Sequence, residues 1–309
     1  MLPFSLAGQQ ALELEECFFK PEATVFFTTE LVSGLGMIKE YVFTDPSYNR
    51  SFDFILSRLD WPVEPELLLG LKASFRIAED IWLASGLWVS LPTPSGYLED
   101  RDWDEDTKEL KIYSKHDNTL LNALALDLNL GFSIITNPVF ILNAVAGLQV
   151  QRFFFKGANG YQEIPPGTVV RYFTGDVITY DLFYLTVYIG TEVALKIDEN
   201  ISLTSRLGLS PLLTFAFAFD DHLLREEVEL FIDLPAFGFS VQFALSLSFR
   251  LTSNIFLKIY NNICFSPIFK GSSYLKLPGE TTIYYSFSSR GGSDRLLYQL
   301  ALALSLPLN

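Results

Sequence analysis

The chain has 309 residues, of which 49% are hydrophobic and only 19% charged, a balance that excludes a disordered protein. Its 22 Lys and Arg stand against 36 Asp and Glu, and the net charge of −14 argues against nucleic acid as a partner, because phosphate binding needs a basic face. Two cysteines, Cys17 and Cys264, exclude a disulfide framework and a Cys-rich metal site, and their spacing does not say whether they pair.

In chain order, residues 1–23 form an N-terminal segment whose apolar run Met1–Ala7 is too short for a signal peptide, so a mature form with an added start Met is expected. Strands are expected over about 24–43 and 51–75, the second with Leu67, Leu69, Leu71 and Phe75 alternating with Gly70, Lys72, Ser74 and Arg76. A tight turn at Ala78-Glu79-Asp80 leads into 80–102, and a longer polar stretch covers about 103–117. Segment 118–135 alternates again, with Leu124, Leu126, Leu128, Leu130, Phe132 and Ile134 set against Ala125, Asp127, Asn129 and Ser133. Thr136-Asn137-Pro138 turns into 139–156, and a Pro- and Gly-rich loop spans 157–176. Strands 177–197 and 201–219 flank the turn Asp198-Glu199-Asn200, and a polar stretch follows at about 220–227. Strand 228–251 has Phe239, Val241, Phe243, Leu245, Leu247, Phe249 and Leu251 on one parity and Ser240, Gln242, Ser246, Ser248 and Arg250 on the other. After Thr252-Ser253-Asn254 come strand 255–269, a loop at 270–279 and a last strand over 280–307 with Leu300, Leu302, Leu304 and Leu306 in step.

A period of two with one apolar and one polar face is a strand between two different media. Several runs are about twice the usual 5–6 residues of a soluble strand and match the 9–11 needed to cross a bilayer. No stretch approaches the roughly 20 apolar residues of a spanning helix, yet mean hydropathy is +0.26 and aromatics reach 15%. A soluble β-protein with an unusually apolar surface is one outcome. The better fit is an all-β fold, a ten-stranded antiparallel transmembrane β-barrel that extends beyond the outer membrane on the extracellular side and takes the whole chain as one domain, with the barrel over 24–308. Short turns would face the periplasm and long loops the outside. Lys72, Arg76, Asp127, Glu192, Arg206 and Arg250 would pair in the lumen. A barrel this small has its interior filled by side chains, which makes a pore the weakest reading.

Strand parity brings two acidic groups to the loop end. The third strand ends in Glu99-Asp100-Arg101-Asp102-Trp103 and the seventh in Phe219-Asp220-Asp221-His222. Asp100 and Asp102 share a face, as do Asp220 and His222, and charges cannot face lipid, so all four point to the lumen mouth. A carboxylate pair across from an Asp–His pair can activate water, with His222 as general base and Asp220 orienting it; no metal, cofactor, or Ser or Cys nucleophile is implied. Acidic residues also gather in loops simply because loops are wet, and composition alone leaves that reading open.

Tyr97-Leu98-Glu99-Asp100-Arg101-Asp102-Trp103 resembles the acidic-pair motif of the omptins, outer-membrane proteases of Gram-negative bacteria, and Asp220-Asp221-His222 resembles their Asp-x-His motif. Lys39-Glu40-Tyr41-Val42, Leu59-Asp60-Trp61, Asp127-Leu128-Asn129 and Tyr188-Ile189-Gly190 fall in the same order with similar spacings. The resemblance implies a ten-stranded barrel that hydrolyses peptides at its extracellular end. Asp220 and His222 would be the catalytic pair, Asp100 and Asp102 the second acidic pair, and Glu40 a residue of a pocket for a basic side chain. Three further acidic positions of the family fall on Ala218, Ile112 and Ala125, so the preference for paired basic residues does not follow from the resemblance, while Asp104, Glu105, Asp106, Glu226 and Glu227 could supply other negative potential. Of the family's lipopolysaccharide contacts only Arg152 matches, the others falling on Leu148, Val150 and Phe183, and weak or no dependence on that lipid follows. His116 also matches a family position and is read as a loop residue. The expected partners are peptide or protein substrates and outer-membrane lipid, with a monomer as the assembly. A catalytically inactive omptin-like barrel serving as adhesin or binding protein is the alternative.

Overall fold

The computed structural model of the protein describes residues 25–44, 54–224, 230–235, 238–276, 282–285 and 290–308. The N-terminal segment 1–23, Cys17 within it, and the loops expected at 44–50, 220–227 and 270–279 lie wholly or partly outside the described residues.

Fourteen strand segments form one sheet among the described residues. β1 (Val25–Phe43) pairs with β2 (Ile55–Ala78) on one side and with β14 (Gly291–Leu308) on the other, and this second pairing closes the sheet into a ring. β3 (Ile81–Ser90) and β4 (Thr93–Trp103) are two halves of one stave, broken at Leu91-Pro92. β5 (Leu110–Thr136) and β6 (Phe140–Glu163) follow, and β7 (Val169–Tyr172) is a short addition paired to β6. β8 (Asp176–Lys196) and β9 (Ile201–Asp221) continue the ring, and β10 (Leu230–Pro235) and β11 (Gly238–Thr252) share the next stave. β12 (Ile255–Lys276) carries both β14 and the short β13 (Ile283–Tyr285). The result is a ring of ten antiparallel staves. Among the described residues every stave of this ring is paired on both sides at the level of the lipid, which is what lipid requires of a sheet.

Burial is inverted relative to a water-soluble protein. Leu300, Leu302, Leu304 and Leu306 are about half exposed, while Ala301, Ala303 and Ser305 between them are buried. The same holds for Phe239, Phe243 and Leu245 against Ser240, Gln242 and Ser246. Each pleat sends alternate residues out, so the exposed apolar parity faces lipid and the buried polar parity fills the lumen.

The outer wall shows where the lipid zone ends. From Phe140 to Val150 the outward residues of β6 are uncharged, a span that matches the roughly 9–11 residues of a crossing strand. The next outward residue, Arg152, makes two bonds to the Asp181 carboxylate of β8, at 2.8 and 2.7 Å. On the other side of the ring Asp60 accepts from Arg58 at 2.9 Å and pairs with Arg101 at 2.6 Å, and Lys39 lies 3.9 Å from Asp294. Below the zone the tight turns stand where expected. Asn137 Oδ1 accepts the amides of Val139 and Phe140, and Asp198 Oδ1 those of Asn200 and Ile201.

The lumen is filled. Lys72 lies 2.9 Å from Glu30, which also accepts from Trp88 Nε1 at 2.7 Å and from the Tyr260 hydroxyl. Arg206 donates to the Tyr188 hydroxyl at 2.8 Å, and that hydroxyl donates to Asp127 at 3.0 Å. Two of the expected lumen cations do something else. Arg76 and Arg250 sit at the turn-side mouth and donate to the backbone carbonyls of Glu79 and Thr252.

The strands also run further on the loop side than their hydropathy suggests. β5 starts at Leu110 rather than near 118, β6 reaches Glu163 and β12 reaches Lys276. Beyond the lipid both outer and inner faces meet water or polar groups, so the alternation fades although the backbone ladder continues.

Candidate active site

Asp220 pairs in register with Tyr180 of β8, one residue beyond Asp181, so it stands just above the charged level that ends the lipid zone. The inward parity of β9 keeps it in the lumen, where it is buried. His222 follows two residues later, at the end of the strand, and its Nε2 lies 2.7 Å from Asp220 Oδ2. A carboxylate accepts, so Nε2 carries the proton and Nδ1 is the basic nitrogen. The other Asp220 oxygen, Oδ1, is buried with no hydrogen-bond partner among the described residues.

Asp100 is held on β4 between Leu59 of β2 and Ser114 of β5. It is 7% exposed, and the Ser114 hydroxyl approaches its Oδ2 at a long 3.5 Å. β4 and β9 are separated around the ring by β5, β6 and β8, yet Asp100 and His222 line one cavity of about 170 Å³. Its sides include the apolar Leu59, Leu98 and Ile178. Nearby in the lumen, Trp61 stacks on Tyr180 at 5.3 Å and packs against Phe155 at 5.5 Å. Asp102 lies on the same parity as Asp100, in register with Ser57 and Ile112, but it is partly exposed and is not in the cavity lining. Glu40 is buried on β1 opposite Leu59 and Ser293 and does not line the cavity either. Ala218 is fully buried, Ile112 and Ala125 bring no charge, and among the described residues Asp100 is the one carboxylate in the lining.

His116 differs from its expected place in a loop. It lies within β5, is buried, and lines the same cavity as Asp100 and His222. Its Nδ1 is 2.5 Å from the Asn159 carbonyl, which can only accept, so Nδ1 donates and Nε2 is the basic nitrogen. The ring meets Phe173 edge-on at 5.1 Å, and burial pushes its pKa below the ordinary histidine value. Arg171 of β7 and Gln162 of β6 also reach the lining. Neither stands in a periodic pattern. Tyr97 is 56% exposed, with the Lys115 ammonium 4.3 Å from its ring centre.

A sequence model of the omptin family matches residues 25–304. The chain belongs to the omptin family. This omptin is 27% identical over 148 residues to the plasminogen activator of Yersinia pestis, a match covering 47% of each chain. It is 26% identical over 128 residues to Protease 7 of Escherichia coli K12, covering 40% of this chain and 39% of the other. It therefore spans less than half the length of these relatives in either match. The crystal structure of the outer membrane protease OmpT from Escherichia coli superposes with a TM-score of 0.84 at 18% identity, over 92% of this chain and 97% of that one. The shared fold and the family membership make this omptin an outer-membrane β-barrel.

Proposed function

We propose that this omptin is an outer-membrane endopeptidase that hydrolyses peptide bonds at the extracellular mouth of its barrel. The supporting observation is the convergence of Asp100 from β4 and His222 from β9 on one cavity, with His222 hydrogen-bonded to the buried Asp220 at 2.7 Å. A water between Asp100 and His222 gives its proton to His222 Nδ1 as it attacks the peptide carbonyl. Asp220 holds the ring and stabilises the imidazolium, and later the same proton passes to the leaving amine. Asp102 contributes negative potential from one pleat above rather than direct contact. The site lies above the Arg152–Asp181 level, on the long-loop side, so peptides reach it without crossing lipid.

The outer wall speaks against a lipopolysaccharide requirement. The Arg152 guanidinium is already satisfied by both oxygens of Asp181, and Phe154 and Phe183 flank it at 5.6 and 5.3 Å. A lipid phosphate would have to displace an internal carboxylate that holds it bidentately.

A peptide panel digested by wild type and His222→Ala tests the assignment. Cleavage by wild type and not by the variant is expected. Equal cleavage by both removes the mechanism, and cleavage by neither restores the inactive binding-protein alternative, which no specific contact here favours.

A further inference from the structure

Beside Asp100 and His222 the cavity lining combines apolar walls with the polar Ser114, His116 and Gln162 and a single guanidinium. Leu59, Leu98, Val177 and Ile178 line it beside Asp100 and His222, while Arg171 of β7 reaches the rim and lies over the Phe173 ring at 4.7 Å. Arg171 is exposed, and no carboxylate among the described residues pairs with it. Asp100, the only carboxylate in the lining among the described residues, belongs to the water-activating pair in the reading above.

We propose that Arg171 is a specificity-determining residue: the cavity takes a substrate side chain with an apolar shaft and an acidic end, glutamate first, and rejects lysine and arginine. This rests on the cavity being the place where a side chain next to the scissile bond is held. A volume of about 170 Å³ suits one side chain of that size. The methylenes of a glutamate would lie on the leucine walls, and its carboxylate would meet the planar guanidinium, which binds carboxylates bidentately. A lysine in the same position would bring like charge to Arg171, and among the described residues the lining holds no second carboxylate to neutralise it. The overall charge of −14 does not reverse this, because charges more than about 8 Å apart in physiological salt are largely screened and the guanidinium is local.

The test uses full-length refolded protein and peptides identical except for Glu, Leu or Lys, placed in turn on either side of the cleaved bond. Wild type is expected to prefer Glu over Lys about tenfold at one of the two positions, with the ratio shrinking as salt rises. Arg171→Gln should bring the ratio towards one and Arg171→Glu should invert it. The same peptides titrated calorimetrically into the His222→Ala protein, with and without Arg171→Glu, read binding without turnover. Cleavage with a Glu-to-Lys ratio unchanged by Arg171→Glu, or a wild-type preference for Lys at both positions, overturns the inference and leaves the hydrolase reading intact. Arg171-dependent binding of the Glu peptide without cleavage supports the inference and overturns the hydrolase. Neither cleavage nor Arg171-dependent binding overturns both.

Discussion

Asp220→Asn isolates the electrostatic part of the proposed chemistry. The substitution keeps the size and planarity of the side chain, so packing at the end of β9 is preserved, but it removes the negative charge 2.7 Å from His222 Nε2. Before proton transfer the loss of the carboxylate charge is small. In the transition state the ring carries the proton from water, and the missing carboxylate then matters most. Two charges whose centres lie about 4 Å apart interact by about 4 kcal/mol at an effective dielectric near 20. That converts to roughly a thousandfold in rate. The pair is almost fully buried, so solvent screening does not reduce this to the value of a surface pair. Cleavage of a fluorogenic peptide should therefore show kcat down by about 10³ with KM within a few-fold. Heat-modified mobility of the folded barrel on a gel should not change. A variant that retains kcat within tenfold of wild type while remaining folded refutes the role of Asp220.

Asp100→Asn should lower kcat at least about tenfold more than Asp102→Asn, because Asp100 alone lines the cavity, and equal losses would show that Asp102 touches the water directly. Lys72→Met leaves the buried Glu30 without its cation and should destabilise the barrel by about 3–5 kcal/mol, read as a lower denaturation midpoint, with Glu30→Gln in the same chain restoring most of it. His116 lies outside the lipid zone and has a lowered pKa when folded, so below about pH 6.5 the unfolded chain binds more protons and stability falls on acidification. His116→Gln should lose this component, giving a smaller drop in thermal midpoint between pH 7.5 and pH 5 than wild type; an identical drop would place the titration elsewhere. Protein refolded without lipopolysaccharide should cleave as fast as protein refolded with it, since Asp181 already occupies Arg152, and a strict requirement would defeat that reading.

The barrel was legible in the residue pattern alone. Within a regular run the pleat alternates side chains between two faces, so Phe239 to Leu251 and Leu300 to Leu306 announce a lipid-facing wall, and Ser240, Gln242 and Asp127 a polar interior, before any partner strand is known. The same parity put Asp100, Asp220 and His222 on the inside at one end. What lay beyond it was convergence around the ring. Asp100 and Asp102 are indistinguishable by pattern, yet strand tilt and the registers with Leu59 and Ser114 bring only Asp100 to the cavity. His116 and Arg171 fall where both faces of the strands leave lipid and hydropathy loses its period, so periodicity marked neither, although they share the cavity with His222. Which residues meet across a closed sheet depends on shear and loop closure, properties of the whole ring that no single strand encodes.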